Sequence, residues 1–343
     1  MKKLICILLA LVLALSAAAC GGASSSVVAE PAATAEPTAE PAEVPVATFR
    51  IAGMKGPTTM GMVKLMSDAE AGATHQDYQV TMYGAADEIV PLLVKGELDL
   101  AAVPANLAAT LYQKTEGKLQ VAAINTLGVL YVVTSGEEVT SVADLAGKTV
   151  YSTGKGTTPE YALNYILRQN GLDPAADLTI EYKSEATEVL AAMQAETDGA
   201  IAVLPQPYVT AAQAQVEGLT VALDLTEEWE KVSEDSGMVT GVLVARGEFV
   251  EQNPEAFEEF LADYKASIEW VNANTAEAAE LVAGYGIVAK APLAQKALPA
   301  CNITYVAGAE MKSMLSGYLQ VLFEQDANAV GGQMPDDAFY YGA

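Results

Sequence analysis

From Ala47 onward, short apolar runs alternate with stretches of helical character, which restricts the chain to α/β architecture with largely parallel sheets. Residues 48–52 read as a first strand, followed by the loop Met54-Lys55-Gly56-Pro57-Thr58-Thr59, where Pro57 suits the first position of a helix. Residues 98–103 read as a second buried strand, broken by Pro104-Ala105-Asn106 before a helix over 107–114. Residues 121–125 and 129–134 are expected to continue the same sheet. A new unit begins near Ser141, where 142–148 lead into the strand 149–151 and then into Thr153-Gly154-Lys155-Gly156-Thr157-Thr158-Pro159. Thr158 suits an N-cap with Pro159 at the first helical position, and Asn170-Gly171 suits the stop of that helix. Strands over 178–182, 200–204 and 219–223, with a helix over 186–194, complete the unit. Residues 239–245 are strand-like again, and helices follow. One is opened by Asn253-Pro254-Glu255 and runs through Val271; another is capped by an Asn274/Glu277 box. The simplest topology inserts the second unit into the first, giving lobe I at 47–135 with 239–343 and lobe II at 136–238. Crossovers are expected near Ser135 and within 224–238, and two lobes joined by two strands can hinge.

The first residues do not belong to this body. Lys2 and Lys3 precede an uncharged, largely apolar run over 4–19 that ends in small residues, the pattern of a signal peptide. Sixteen residues at 1.5 Å rise reach about 24 Å, short of the roughly 30 Å of a bilayer core, so cleavage is favoured over a permanent span. Cys20 follows Leu15-Ser16-Ala17-Ala18-Ala19, which resembles a bacterial lipobox with Ala17 where leucine is commoner. The resemblance implies lipid modification of Cys20, with ordinary cleavage after an A-x-A-like site as the alternative. Residues 20–46 repeat Ala-Glu-Pro at Ala29, Ala35 and Ala39 and are expected to form an extended spacer. Its reach lies between about 28 Å as a coil and about 80 Å as polyproline II.

Charge narrows the partners. Eighteen Lys and Arg face 44 Asp and Glu, a formal charge of -26, and such a field repels nucleic acid and anionic membrane faces. A membrane tether must therefore be the covalent one at Cys20. One histidine, His75, and three cysteines are too few for a multi-histidine metal site or a disulfide framework, and no cofactor or metal is expected. If Cys20 carries lipid, Cys301 has no intramolecular partner in the processed chain and reads as a packed thiol.

Several segments together resemble the solute-binding proteins of bacterial ABC importers, in the branch of nitrate, taurine, sulfonate and thiamine-pyrimidine binders. They are Gly53-Met54-Lys55-Gly56-Pro57-Thr58, Val103-Pro104-Ala105-Asn106, Asp144-Leu145-Ala146-Gly147-Lys148-Thr149-Val150, Gly156-Thr157-Thr158-Pro159 and the terminal run from Gly331 to Tyr341. The resemblance implies a two-lobed, periplasmic-binding-protein-like (type II) Venus-flytrap fold with two hinge crossovers. It also implies closure on one small solute and delivery to permease and ATPase subunits by a monomer held at the outer face of the cell membrane.

In open α/β sheets ligands bind beyond the carboxyl ends of the strands. The candidates on that basis are Met54, Lys55, Gly56, Thr58 and Thr59 after the first strand, and Gly154, Gly156, Thr157 and Thr158 in the second unit, each group also readable as a simple helix cap. Pro104 and Asn106 sit at a strand end where a carboxamide can both donate and accept. Asn125 with Thr126 suits either a ligand or a turn; Gln206, between Pro205 and Pro207, suits either the cleft or a rigid loop. The spacing at 153–159 fits neither a P-loop nor a dinucleotide turn. Lys55 and Lys155, beside two helix starts, favour an anionic solute over a cationic one. Tyr83, Tyr131 and Tyr161 are read as core, Asp235 as part of a hinge, His75 as exposed, and Asp336-Asp337 as a solvated face. No catalytic residue is assigned. A lipid-anchored ligand sensor and an enzyme of thiamine-pyrimidine type on the same fold stand as alternatives.

Overall fold

The computed structural model describes residues 44–84, 86–233 and 236–343; the expected signal peptide, Cys20, spacer residues 20–43 and Asp235 lie outside the described residues. The chain opens with β1 (Thr48–Met54), α1 (Pro57–Met60), α2 (Val63–Glu70), β2 (Asp77–Tyr83), α3 (Ala86–Lys95), β3 (Leu100–Pro104), α4 (Ala105–Lys114) and β4 (Leu119–Leu127). It continues through β5 (Leu130–Ser135), β6 (Thr149–Thr153), α5 (Thr158–Gln169), β7 (Thr179–Lys183), α6 (Ala186–Ala195), β8 (Ala200–Pro205), α7 (Tyr208–Gln213), β9 (Thr220–Asp224) and α8 (Leu225–Glu230). It closes with β10 (Val239–Arg246), α9 (Gly247–Gln252), α10 (Pro254–Ala273), α11 (Thr275–Gly284), α12 (Ala291–Ala297), β11 (Ile303–Val306) and α13 (Gly308–Gln325).

These strands form two sheets, in the orders β11-β4-β10-β3-β1-β2 and β7-β6-β8-β5-β9. In the first, β1 runs parallel to β2 and β3, and β10 lies antiparallel between β3 and β4. In the second, β6 runs parallel to β7 and β8, while β5 is antiparallel to β8 and β9. Residues 100–103 and 200–204 are buried throughout, because strands covered on both faces need unbroken apolar sequence rather than alternation.

One expectation is corrected by this pairing. Strand β5 belongs to the second sheet, so the first crossover lies at Gly128-Val129 and not near Ser135. Both neighbouring strands are apolar, so hydropathy cannot say which sheet takes β5; the partners β8 and β9 decide it. The crossovers run side by side, since a Cβ on Gly128 would lie 2.1 Å from Met238 Cε and 2.2 Å from Thr226 Oγ1.

The core is shared across the lobes. One apolar cluster joins Val103 and Leu111 of the first lobe to Val132, Leu163 and Trp229 of the second, with Met311, Leu315 and Tyr318 of α13 between them. Trp229 is fully buried, its ring 4.5 Å from that of Tyr165 and 5.4 Å from that of Tyr318, and its Nε1 donates to Ser236 Oγ at 3.0 Å. The outer face of the first sheet packs Phe49, Phe260 and Tyr264, and that of the second packs Val133, Leu204 and Val209.

Two helix starts differ from expectation. The N-cap of α5 is Thr157, with Thr158 already helical. The Asn274/Glu277 box does not form: Asn274 ends α10 as it begins α11, and its Nδ2 donates back to the Trp270 carbonyl at 2.9 Å. Asp336 is not purely a solvated carboxylate either. It accepts from Tyr112 Oη and from the Ala338 amide, while exposed Asp337 pairs with Lys312 at 2.9 Å. Phe339 is fully buried and the Tyr341 amide donates to the Val121 carbonyl at 3.0 Å, so the terminal run is stitched to lobe I.

Candidate functional site

Parallel strands end on one side of each sheet, and loops from both sheets meet there. In lobe I, β1 ends at Met54 beside Tyr83 of β2, and the Lys55 amide donates to the Tyr83 carbonyl at 3.2 Å. Gly56 then caps α1 in extended conformation with open space around its Cα, and Pro57 starts the helix, where a missing N–H costs nothing. Strand β3 ends at Pro104, the N-cap of α4, and leaves Asn106 half-buried on the first turn.

In lobe II, β6 ends at Thr153 and the chain turns twice through the left-handed region, at Gly154 (φ +73°) and Gly156 (φ +76°). Glycine adopts this conformation without the Cβ clash other residues incur. Thr157 closes the turn, its Oγ1 donating to the Gly154 carbonyl at 2.6 Å and its amide to the same oxygen at 3.0 Å. Thr158 Oγ1 then reaches across the lobes to Asn106 Oδ1 at 3.5 Å. The buried Tyr318 hydroxyl lies beside Thr158, and burial raises its pKa, so it stays protonated.

The expected residues separate into two groups. Met54, Lys55, Gly56, Pro104 and Asn106 of lobe I, with Gly154, Gly156, Thr157 and Thr158 of lobe II, stand at strand ends and helix starts, and of these Asn106 and Thr158 meet across the lobes. Thr58, Thr59, Asn125 and Gln206 turn inward. Thr59 is fully buried against Gly53, whose Cβ would lie 2.7 Å from Thr59 Cγ2. Thr58 and Asn125 both face Gly241: a Cβ there would approach Thr58 Cγ2 to 2.4 Å and Asn125 Oδ1 to 2.6 Å. Asn125 Oδ1 accepts from Thr126 Oγ1 at 2.9 Å, and its amide lies beside Tyr264 in the outer core of lobe I. Gln206 accepts from Thr210 Oγ1 at 2.9 Å and from the Thr210 amide, so it serves the start of α7.

Sequence reasoning missed the contacts that hold the lobes together on the α13 side. Tyr161 Oη donates to Asp326 at 3.2 Å, Gln325 Nε2 to the Tyr161 carbonyl at 2.9 Å, and Arg168 Nη1 to Gln325 Oε1 at 3.0 Å. Burial, then Asp326, raises the Tyr161 pKa. Thr158, Tyr161, Tyr165 and Arg168 recur at helical spacing, so one face of α5 carrying hydroxyls and a guanidinium was the available signal. Tyr131 adds a further link, its Oη donating to the Ala300 carbonyl at 2.8 Å. His75 stands half-exposed on lobe I, 2.9 Å from Glu259. Among the described residues, no three His, Cys, Asp or Glu side chains gather as a metal site, and no helix is long and apolar enough to cross a membrane.

A family model described as menaquinone biosynthesis matches residues 57–299, which span both crossovers, the second lobe and part of the first, without β1, β11 and α13. The chain belongs to that family. Among solved structures, this family member is similar to an ABC transporter protein from Parabacteroides distasonis, 25% identical, covering 85% of this chain and 98% of that one with a TM-score of 0.71. It shares its fold with the periplasmic aliphatic sulphonate binding protein SsuA from Escherichia coli (19% identity, 84% and 92% covered, TM-score 0.67). It also shares it with the alkanesulfonate-binding protein SsuA from Xanthomonas axonopodis pv. citri bound to MOPS (14%, 87% and 98%, TM-score 0.61). The two-lobed α/β architecture is that of these periplasmic binding proteins. No curated protein matches the sequence.

Proposed function

We propose that this family member is the extracytoplasmic solute-binding subunit of an ABC importer. It captures one small polar molecule between its lobes and passes it unaltered to a permease driven by an ATPase. The observation that carries the reading is the meeting of β3–α4 and β6–α5 loops at Asn106 and Thr158 across two sheets joined by paired crossovers. Met54, Gly56, Pro104, Asn106, Gly154 and Thr158 are the proposed contacts. The leader and Cys20 support export and lipid anchoring, with the body acting as a monomer.

Mass spectrometry of compounds released from gently purified protein tests the reading. A solute present at 100 times its Kd should add about 2.7 kcal/mol of stability, read as a higher Tm. Cys20→Ser should release the processed protein from the membrane fraction. The family's description favours a second reading, an enzyme of menaquinone biosynthesis. Conversion of the recovered compound by the purified protein would support that reading over transport.

A further inference from the structure

Resting on the solute-binding reading, one buried hydroxyl extends the site to α13. This helix packs on α4 of lobe I and on α5 of lobe II, with Met311, Leu315, Tyr318, Leu319 and Leu322 turned inward at helical spacing. Of these five, Tyr318 alone brings a hydroxyl. It is fully buried, its ring 5.4 Å from that of Trp229, and its Oη has no hydrogen-bond partner among the described residues. A buried hydroxyl left unpaired gives up its hydration and gains nothing in exchange. Phenylalanine would fill the same space without that loss, so packing alone does not account for the oxygen.

Its position does. Tyr318 Oη lies beside Thr158, and Thr158 Oγ1 meets Asn106 Oδ1 across the lobes at 3.5 Å. Seven other buried side-chain polar atoms among the described residues lack partners too; that of Tyr318 is set apart by its place against the contact between the lobes. Thr158 and Asn106 are half-buried, whereas Tyr318 is closed off behind them. The Thr158 proton is turned to Asn106, so the three groups form an incomplete chain with the Tyr318 proton unspent. A solute entering between Thr158 and Asn106 completes it. One acceptor oxygen there, with two lone pairs, can take the protons of both Thr158 and Tyr318, while a neighbouring N–H or O–H of the same molecule satisfies Asn106 Oδ1.

We infer that Tyr318 is a solute-binding residue, and that the solute is a small molecule carrying a carbonyl or hydroxyl oxygen next to an N–H or O–H donor, as in a carboxamide or a hydroxy-carbonyl compound. The experiment extracts and identifies the compound that accompanies native protein, then titrates it into emptied wild type and Tyr318→Phe. Melts of both empty proteins and the tyrosine ring 13Cζ spectrum, in which the Phe variant assigns Tyr318, complete the measurement. Tyr318→Phe should weaken binding at least about tenfold, a change of 1.4 kcal/mol, while its empty Tm stays at or above that of wild type. The Tyr318 13Cζ resonance should move when wild type is saturated. Equal affinity in the two proteins overturns the inference, as does a weaker affinity that comes with a lower empty Tm and an unmoved resonance, because the hydroxyl then serves the fold. An extracted compound without an acceptor oxygen beside a donor overturns the assigned class. Each of these results leaves solute binding intact. Failure to retain any compound, or to bind any member of a broad metabolite panel, removes the solute-binding reading and this inference with it.

Discussion

Asn106 Oδ1 and Thr158 Oγ1 lie 3.5 Å apart across the two lobes, at the outer limit of a hydrogen bond. A pair held so loosely can be replaced by a solute that satisfies both groups. Asn106→Ala should therefore weaken solute binding by about tenfold, the worth of roughly one hydrogen bond, while the Tm of the empty protein barely moves. Titration calorimetry beside a thermal melt separates the two effects.

Gln325 ties α13 to α5 twice, through the Tyr161 carbonyl and through Arg168. Gln325→Ala should favour the open arrangement of the lobes. Small-angle scattering of the empty protein should show a larger radius of gyration than wild type, and solute affinity should fall without loss of any proposed ligand contact.

Trp229 is the largest wholly buried side chain and links Tyr165 to Tyr318. Trp229→Ala should cost about 3–5 kcal/mol, measured by urea denaturation. Gly128→Ala should cost about 1–3 kcal/mol by overpacking, because Met238 on the other crossover is itself buried.

Burial pushes the Cys301 thiol up to about 12, leaving almost no thiolate near neutrality. A Cys20→Ser protein without residues 1–19 should resist iodoacetamide at pH 8 when folded and react fully in denaturant. Rapid labelling of the native protein would contradict the packing described for this residue.

The Asp144 carboxyl is held below its ordinary value, first by the Thr140 amide and hydroxyl and then by the Ser141 amide and hydroxyl. A lowered folded-state value means that the carboxylate stabilises the fold above the ordinary carboxyl range, and that this contribution disappears as pH falls through the lower value. Wild type should thus melt above Asp144→Asn at pH 7, and the two curves should converge in acid. An identical gap at every pH would show that the substitution acts by some other route.

Much of the fold was legible because proline, glycine and apolar runs act locally. Pro57 and Pro159 fall in the first turns of α1 and α5, and Gly171 follows α5 in the left-handed region. Strand β2, Asp-Tyr-Gln-Val-Thr-Met-Tyr, alternates polar and apolar residues with Tyr78 buried, so its period of two was present in the sequence although no strand was read there. The sheet that β5 joins depends on partners distant in sequence, which periodicity does not carry. The same limit governs the site. Gly154 and Asn106 could be read from strand ends, but the inward turn of Thr59, Asn125 and Gln206 depends on Gly53, Gly241 and Thr210, and on packing that exists only once the chain is folded.

Scattering from the emptied protein before and after saturation with its own recovered compound bears most directly on capture between the lobes. The radius of gyration should fall on binding, and the compound should return from the protein with its mass unchanged. An unchanged radius at saturation, or a compound recovered as a different chemical species, would contradict capture and delivery.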